Sequence, residues 1–63
     1  MQRFKEFREK AGLSILGAAD KLGVSTTSII GWENGKRYPN ARTLVDMAKL
    51  YNCSADELLG LKK

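Results

Sequence analysis

Residues 23–35 read GVSTTSIIGWENG, and the conformation of this stretch decides the fold of everything around it. Its local preferences point to a strand. Thr26, Thr27, Ile29 and Ile30 are β-branched, and Gly31 inside a helix costs about 1 kcal/mol relative to alanine. Two observations oppose that assignment. Ile29 and Trp32 stand three apart and continue the spacing from Leu22, which is the period of a helix face. The remainder of the chain offers no second convincing strand, and a lone strand leaves its backbone hydrogen bonds unmet. The spacing therefore predicts a helix over 26–33, capped by Ser25 and ended by Asn34-Gly35. Its outward positions are then chosen for something other than helix propensity.

The flanking segments fit around that helix. Phe4, Phe7 and Ala11 recur at helical spacing with charged residues between them, predicting a first helix over about 2–11 that stops at Gly12. Ser14 is an N-cap for a second helix over 15–22, where Leu16, Ala19 and Leu22 share a face. Only Gly23 and Val24 separate it from Ser25, and so short a turn sets the second and third helices at a large angle. Residues 34–39 form a loop, because Asn-Gly favours left-handed backbone and Pro39 biases Tyr38 away from helix. Asn40 caps a fourth helix over 41–51, with Leu44, Val45, Met47, Ala48 and Tyr51 on a broad apolar face. Ser54-Ala55-Asp56-Glu57 has the form of a capping box opening a fifth helix over 55–59, ended by Gly60. The tail Leu61-Lys62-Lys63 is expected to fray. The chain is expected to be all-α.

Sixty-three residues make one domain over 1–63 that buries roughly 60% of its unfolded surface, with no room for a second. Its one cysteine, Cys53, excludes an internal disulfide, and with no histidine it cannot join a Cys/His zinc site. Packing alone must hold the fold. No apolar run is long enough for a membrane span, and the N-terminal MQRFKEFREK is too charged for a signal peptide, so a cytoplasmic setting is expected. No histidine and no nucleophile with a base partner are present, and capping accounts for Asp56-Glu57. An enzyme is not expected, nor a cofactor, a metal or a small-molecule substrate. Eleven basic residues against seven acidic give a net charge of +4, which favours anionic partners. Residues 34–43 carry three cations, Lys36, Arg37 and Arg42, and no acid. One loop thus concentrates the positive field.

Taken in order, FREKAGLS, AADKLGVS, SIIGWENG, GKRYP and ARTLVDMAKLYNCSADELLG closely resemble the phage-repressor/Cro-like, or xenobiotic-response-element, family of helix-turn-helix DNA-binding domains. The resemblance runs from residue 4 to residue 60. It implies a five-helix lambda-repressor-like DNA-binding domain whose second and third helices form the helix-turn-helix. Ala19 matches the small residue that lets those helices approach, Gly23 and Val24 match the turn, and Ile29 and Trp32 match the inward face. Arg8 and Glu33 match a pair that forms a structural salt bridge, and Cys53 matches a small apolar core position. The third helix becomes the recognition helix, with Thr26, Thr27, Ser28, Ile30 and Gly31 implied as base-contacting. A major groove about 12 Å wide admits a helix, and short hydroxyl side chains allow close approach. Phosphate contacts are expected from Lys36 and Arg37 just past that helix, and from Ser14, Ile15, Asn34 and Asn40 beside helix ends. Dimerisation is implied through Tyr51, Asn52, Leu59 and Leu61, whereas simple core packing suits Leu58 better.

The chain also departs from the family pattern. Ile15, Leu16 and Gly17 stand where polar residues commonly begin the second helix, and the third has no Arg, Lys, Gln or Asn before Asn34. Either specificity comes from methyl contacts and DNA shape, with Gly31 letting the helix sit deeper, or Ile15, Leu16 and Ile30 form an apolar patch for a protein partner. The first alternative is a sequence-specific regulator of transcription binding double-stranded DNA. It would be a phage-type or mobile-element repressor acting as a homodimer, bacterial or phage-encoded and nucleoid-associated. The second is an antitoxin-like or anti-repressor interaction module built around Ile15 and Ile30.

Overall fold

The computed structural model describes residues 1–61. Five helices follow one another: α1 (Phe4–Lys10), α2 (Ile15–Leu22), α3 (Thr26–Glu33), α4 (Ala41–Leu50) and α5 (Ala55–Leu59), and no strand occurs among the described residues. None of these helices is long and apolar enough to cross a membrane.

Short polar side chains set the helix starts. Ser14 Oγ accepts from the Gly17 amide at 2.9 Å, Ser25 Oγ from Ser28 at 3.1 Å and Asn40 Oδ1 from Thr43 at 2.8 Å. Ser54 Oγ accepts from the Glu57 amide while Glu57 Oε1 accepts from the Ser54 amide, both at 3.0 Å, which completes the capping box. Each bond satisfies an amide that a helix N-terminus otherwise leaves orphaned.

Two helices are shorter than their sequence pattern suggests. α1 begins at Phe4 rather than residue 2 because the preceding backbone is engaged elsewhere: the Arg3 amide donates to the Leu58 carbonyl at 2.8 Å. The Gln2 amide group joins two helix ends. Its Oε1 accepts from the Phe4 amide at 2.8 Å, and its Nε2 donates to the Trp32 and Glu33 carbonyls at 3.2 and 2.9 Å. One side chain thereby closes the start of α1 and the end of α3. α4 stops at Leu50, one residue early, because Asn52 turns left-handed (φ 56°) and the Cys53 amide folds back onto the Ala48 carbonyl at 2.9 Å. Asparagine tolerates that conformation better than most residues.

The core takes Phe4 and Phe7 from α1, Ala18 and Ala19 from α2, Ile29 and Trp32 from α3, then Met47, Tyr51 and Leu58. The two alanines leave room for α2 and α3 to lie close, and Leu22 and Val24 pack beside them. Between those helices Gly23 sits at φ +70°, a left-handed value that closes α2 and frees Ser25 to cap α3. A side chain there is strained. Gly23→Ala is expected to lower stability by about 1 kcal/mol, measurable by urea unfolding.

Tyr51 departs from its expected place at a dimer surface: it is only 3% exposed and belongs to the core. The broad apolar face of α4 turns it inward. Its hydroxyl is buried with no hydrogen-bond partner among the described residues. Burial, reinforced by the Glu33 charge, pushes the phenol up from 10.0 to about 12. Because the folded value lies above the unfolded one, the unfolded chain loses this proton first as pH rises. Stability is intact below pH 10 and falls between pH 10 and about 12. Tyr51→Phe removes both the unsatisfied group and this dependence. The variant is expected to gain about 1 kcal/mol at neutral pH, and its advantage over the wild type should widen through that alkaline window in denaturant titrations.

Candidate nucleic-acid interface

α3 presents two different faces. Ile29 and Trp32 are buried inward, whereas Thr27, Ile30, Gly31 and Asn34 fall at i, i+3, i+4 and i+7 and share an outward stripe. Thr27, Ile30 and Asn34 are exposed, while Thr26, Ser28 and Gly31 are half-buried. The Ser28 hydroxyl lies 3.1 Å from that of Ser25, so capping already engages it. Thr27 carries the more accessible hydroxyl.

The end of α3 is anchored by an ion pair to α1. Arg8 Nε donates to Glu33 Oε2 at 2.7 Å, Nη2 to Oε1 at 3.1 Å and Nη1 to the Leu13 carbonyl at 2.8 Å. The two side chains are 7% and 8% exposed. The bidentate bond to Glu33 raises the Arg8 pKa further, against the cost of burial. A fork-to-carboxylate pair fixes direction as well as distance, so α3 is held at a set angle to α1. The outward stripe is correspondingly rigid.

The loop after α3 folds back on the helix. The Lys36 and Arg37 amides both donate to the Gly31 carbonyl, at 3.0 and 3.2 Å. The Arg37 stem lies over Gly31 itself: a Cβ added there would stand 2.9 Å from Arg37 Cδ and 3.2 Å from Cγ. The space that the sequence suggested as room for deeper entry of the helix is filled by Arg37. Both cations are exposed. Arg42 faces Asp46 at 3.7 Å, whereas neither Lys36 nor Arg37 pairs with an acid among the described residues. Their charge is available to an outside anion.

Other site candidates are placed variously. Ser14 and Asn40 are exposed at the starts of α2 and α4, with their side-chain oxygens engaged in capping. Ile15 is half-buried and packs partly against the core. Of the apolar patch expected around Ile15, Leu16 (71% exposed) and Ile30 (44%) are the more exposed members. Asn52 and Leu61 are exposed, Leu59 packs partly against the core and Leu58 is fully buried. Cys53 is half-buried against the core, and burial raises its thiol pKa. No cluster of potential metal ligands occurs among the described residues.

Two contacts that shape this surface were not foreseen in the sequence, that of Gln2 with α3 and the seating of Arg37 on Gly31. Gln2 meets α3 across thirty positions of chain, a separation that no local pattern signals. The seating of Arg37 had a partial signal in a mid-helix glycine six positions before a loop cation.

A three-residue turn, Gly23 to Ser25, between α2 and α3, with the second of them pinned beneath and open above, defines a helix-turn-helix domain. The chain belongs to the Cro/C1-type helix-turn-helix family, whose profile matches residues 4–58. It is 41% identical over 59 residues to the HTH-type transcriptional regulator ImmR of Bacillus subtilis (strain 168), covering 94% of this chain and 46% of that protein. Identity to the HTH-type transcriptional regulator AnsR of the same organism is 36% over 63 residues, covering 100% and 54%. The HTH-type transcriptional activator BcrR of Enterococcus faecalis is 36% identical over 58 residues, covering 92% and 28%. Among solved structures, a transcriptional regulator from Listeria innocua superposes with a TM-score of 0.79 at 25% identity, covering all of this chain and 63% of the other. The chain spans about half the length of ImmR and AnsR.

Proposed function

We propose that this chain binds duplex DNA and regulates transcription, with the outward stripe of α3 lying in the major groove. The observation that carries this reading is the pair Lys36 and Arg37, exposed, unpaired with any described acid and folded onto the end of a pinned, outward-facing helix. Such a helix fits a groove about 12 Å wide. Thr26, Thr27 and Ser28 offer hydroxyls to base edges, and Ile30 offers methyls to thymine. Lys36, Arg37, Asn34 and the amides at the starts of α2 and α4, near Ser14, Ile15 and Asn40, face the phosphates. The names of the relatives support a role in transcription.

One domain offers about four to six phosphate contacts, too few for tight specific binding alone. Two copies joined through Asn52, Leu59 and Leu61 would set their α3 helices about 34 Å apart on a roughly palindromic site. Repression by occupancy, of the phage or mobile-element type, asks for nothing beyond that affinity, in a cytoplasmic protein on the nucleoid. The exposure of Leu16 and Ile30 favours a second reading, a protein-interaction module, although Ile15 gives part of its surface to the core.

Fluorescence anisotropy with a randomised duplex pool at two salt concentrations separates the two. Binding that weakens steeply with salt is expected. Absence of salt-dependent binding to any duplex, with a partner held through Leu16 and Ile30 instead, would establish the second.

A further inference from the structure

The outward stripe of α3 has a gap and a filler. At Thr27 and Ile30 the helix supplies its own side chains and Asn34 follows at its C-cap, but at Gly31 it supplies none, and the Arg37 stem occupies that place. A methyl group at residue 31 would press within 2.9 Å of Arg37 Cδ and push the stem off this seat. The backbone reinforces it, since the Arg37 amide donates to the carbonyl of the same Gly31. Arg37 is therefore held against the helix at both its main chain and its stem, unlike a loop cation free in solvent. No described acid takes up its guanidinium. α3 itself contains no Arg, Lys, Gln or Asn, the residues that read bases by paired hydrogen bonds.

We infer that Arg37 is the base-reading side chain of this domain: seated on Gly31, it takes the place of a helix residue and offers its planar fork to the O6 and N7 of a guanine in the major groove. The inference rests on the DNA-binding reading above and refines it, moving Arg37 from the phosphates to a base edge and leaving Lys36 as the loop's phosphate contact. A phosphate contact needs only positive charge, which lysine supplies equally, whereas the two acceptors of the guanine edge are matched better by the coplanar donors of a guanidinium than by the tetrahedral ammonium of lysine. Gly31 is then a positioning residue, acting through Arg37.

The test is selection from a randomised duplex pool, with sequencing of the bound fraction, for the wild type, Arg37→Lys and Gly31→Ala. Salt titrations and thermal melts accompany each protein. The wild type is expected to select guanine at one position of each half-site by roughly five- to hundredfold. Arg37→Lys should weaken that preference several-fold while keeping the salt slope and the melting temperature. Gly31→Ala should weaken it too, with no loss of helix stability, because alanine favours helix more than glycine does. An unchanged guanine preference in Arg37→Lys would overturn the inference and return Arg37 to the phosphates. An unchanged preference in Gly31→Ala would overturn the role of the seat. If the wild type binds no duplex in a salt-dependent manner, the DNA-binding reading fails first and this inference with it.

Discussion

Glu33→Ala is expected to remove about 3–5 kcal/mol, a large share of the stability of so small a domain. The substitution strands the Arg8 guanidinium in a site where it is almost wholly buried, with only the Leu13 carbonyl left to it. Removing one partner of a buried ion pair costs about 3–5 kcal/mol. A chain of 63 residues has about 3–9 kcal/mol of stability to lose, at about 0.05–0.15 kcal/mol per residue. Each kcal/mol moves the melting temperature of so small a domain by about 4–8 °C, so a fall of more than 10 °C should appear by circular dichroism. Arg8→Ala should be milder if the Glu33 carboxylate, at the last turn of α3, gains access to water. Replacing both residues with apolar ones of similar volume, Arg8→Met with Glu33→Leu, should recover most of the loss. A double-mutant cycle with no coupling between the two positions would remove the claim that this pair pins α3.

The second large effect falls on binding and leaves folding alone. Lys36→Ala with Arg37→Ala should weaken affinity for every duplex, because both side chains are exposed and neither supports the core. Each released counterion contributes about 0.9 to the slope of log K against log salt, so losing one or two contacts flattens that slope by about 1–2. Near 0.1 M salt this corresponds to a roughly ten- to hundredfold loss of affinity. An unchanged slope would place the phosphate contacts on other residues. The ion pair orients the helix, and the loop cations supply the attraction.

Much of this was legible in the sequence because the controlling interactions are local. Ser14, Ser25, Asn40 and Ser54 each bond an amide three residues on, a spacing visible in the letters. The weak helix propensity of residues 26–33 gave way to tertiary packing, since Ile29 and Trp32 at helical spacing bury more than the β-branched neighbours cost. What stayed hidden depends on contacts across the chain or on a choice of face. Gln2 reaches the Trp32 and Glu33 carbonyls, which shortens α1 in a way no periodicity indicates. Tyr51 ends a helix with apolar residues on several sides, and only packing decides that it turns inward. Gly31 looked like room for DNA, and the rotation of the following loop filled that room with Arg37.

Backbone amide chemical-shift mapping by NMR, with a selected duplex titrated into the protein, tests the central claim most directly. The largest changes are expected at Thr26, Thr27 and Ile30, at Lys36 and Arg37, and at the amides that open α2 and α4. Changes confined to α5 and the N-terminal half of α1, with α3 and the loop after it silent, would show that the outward stripe of α3 is not the surface that meets DNA.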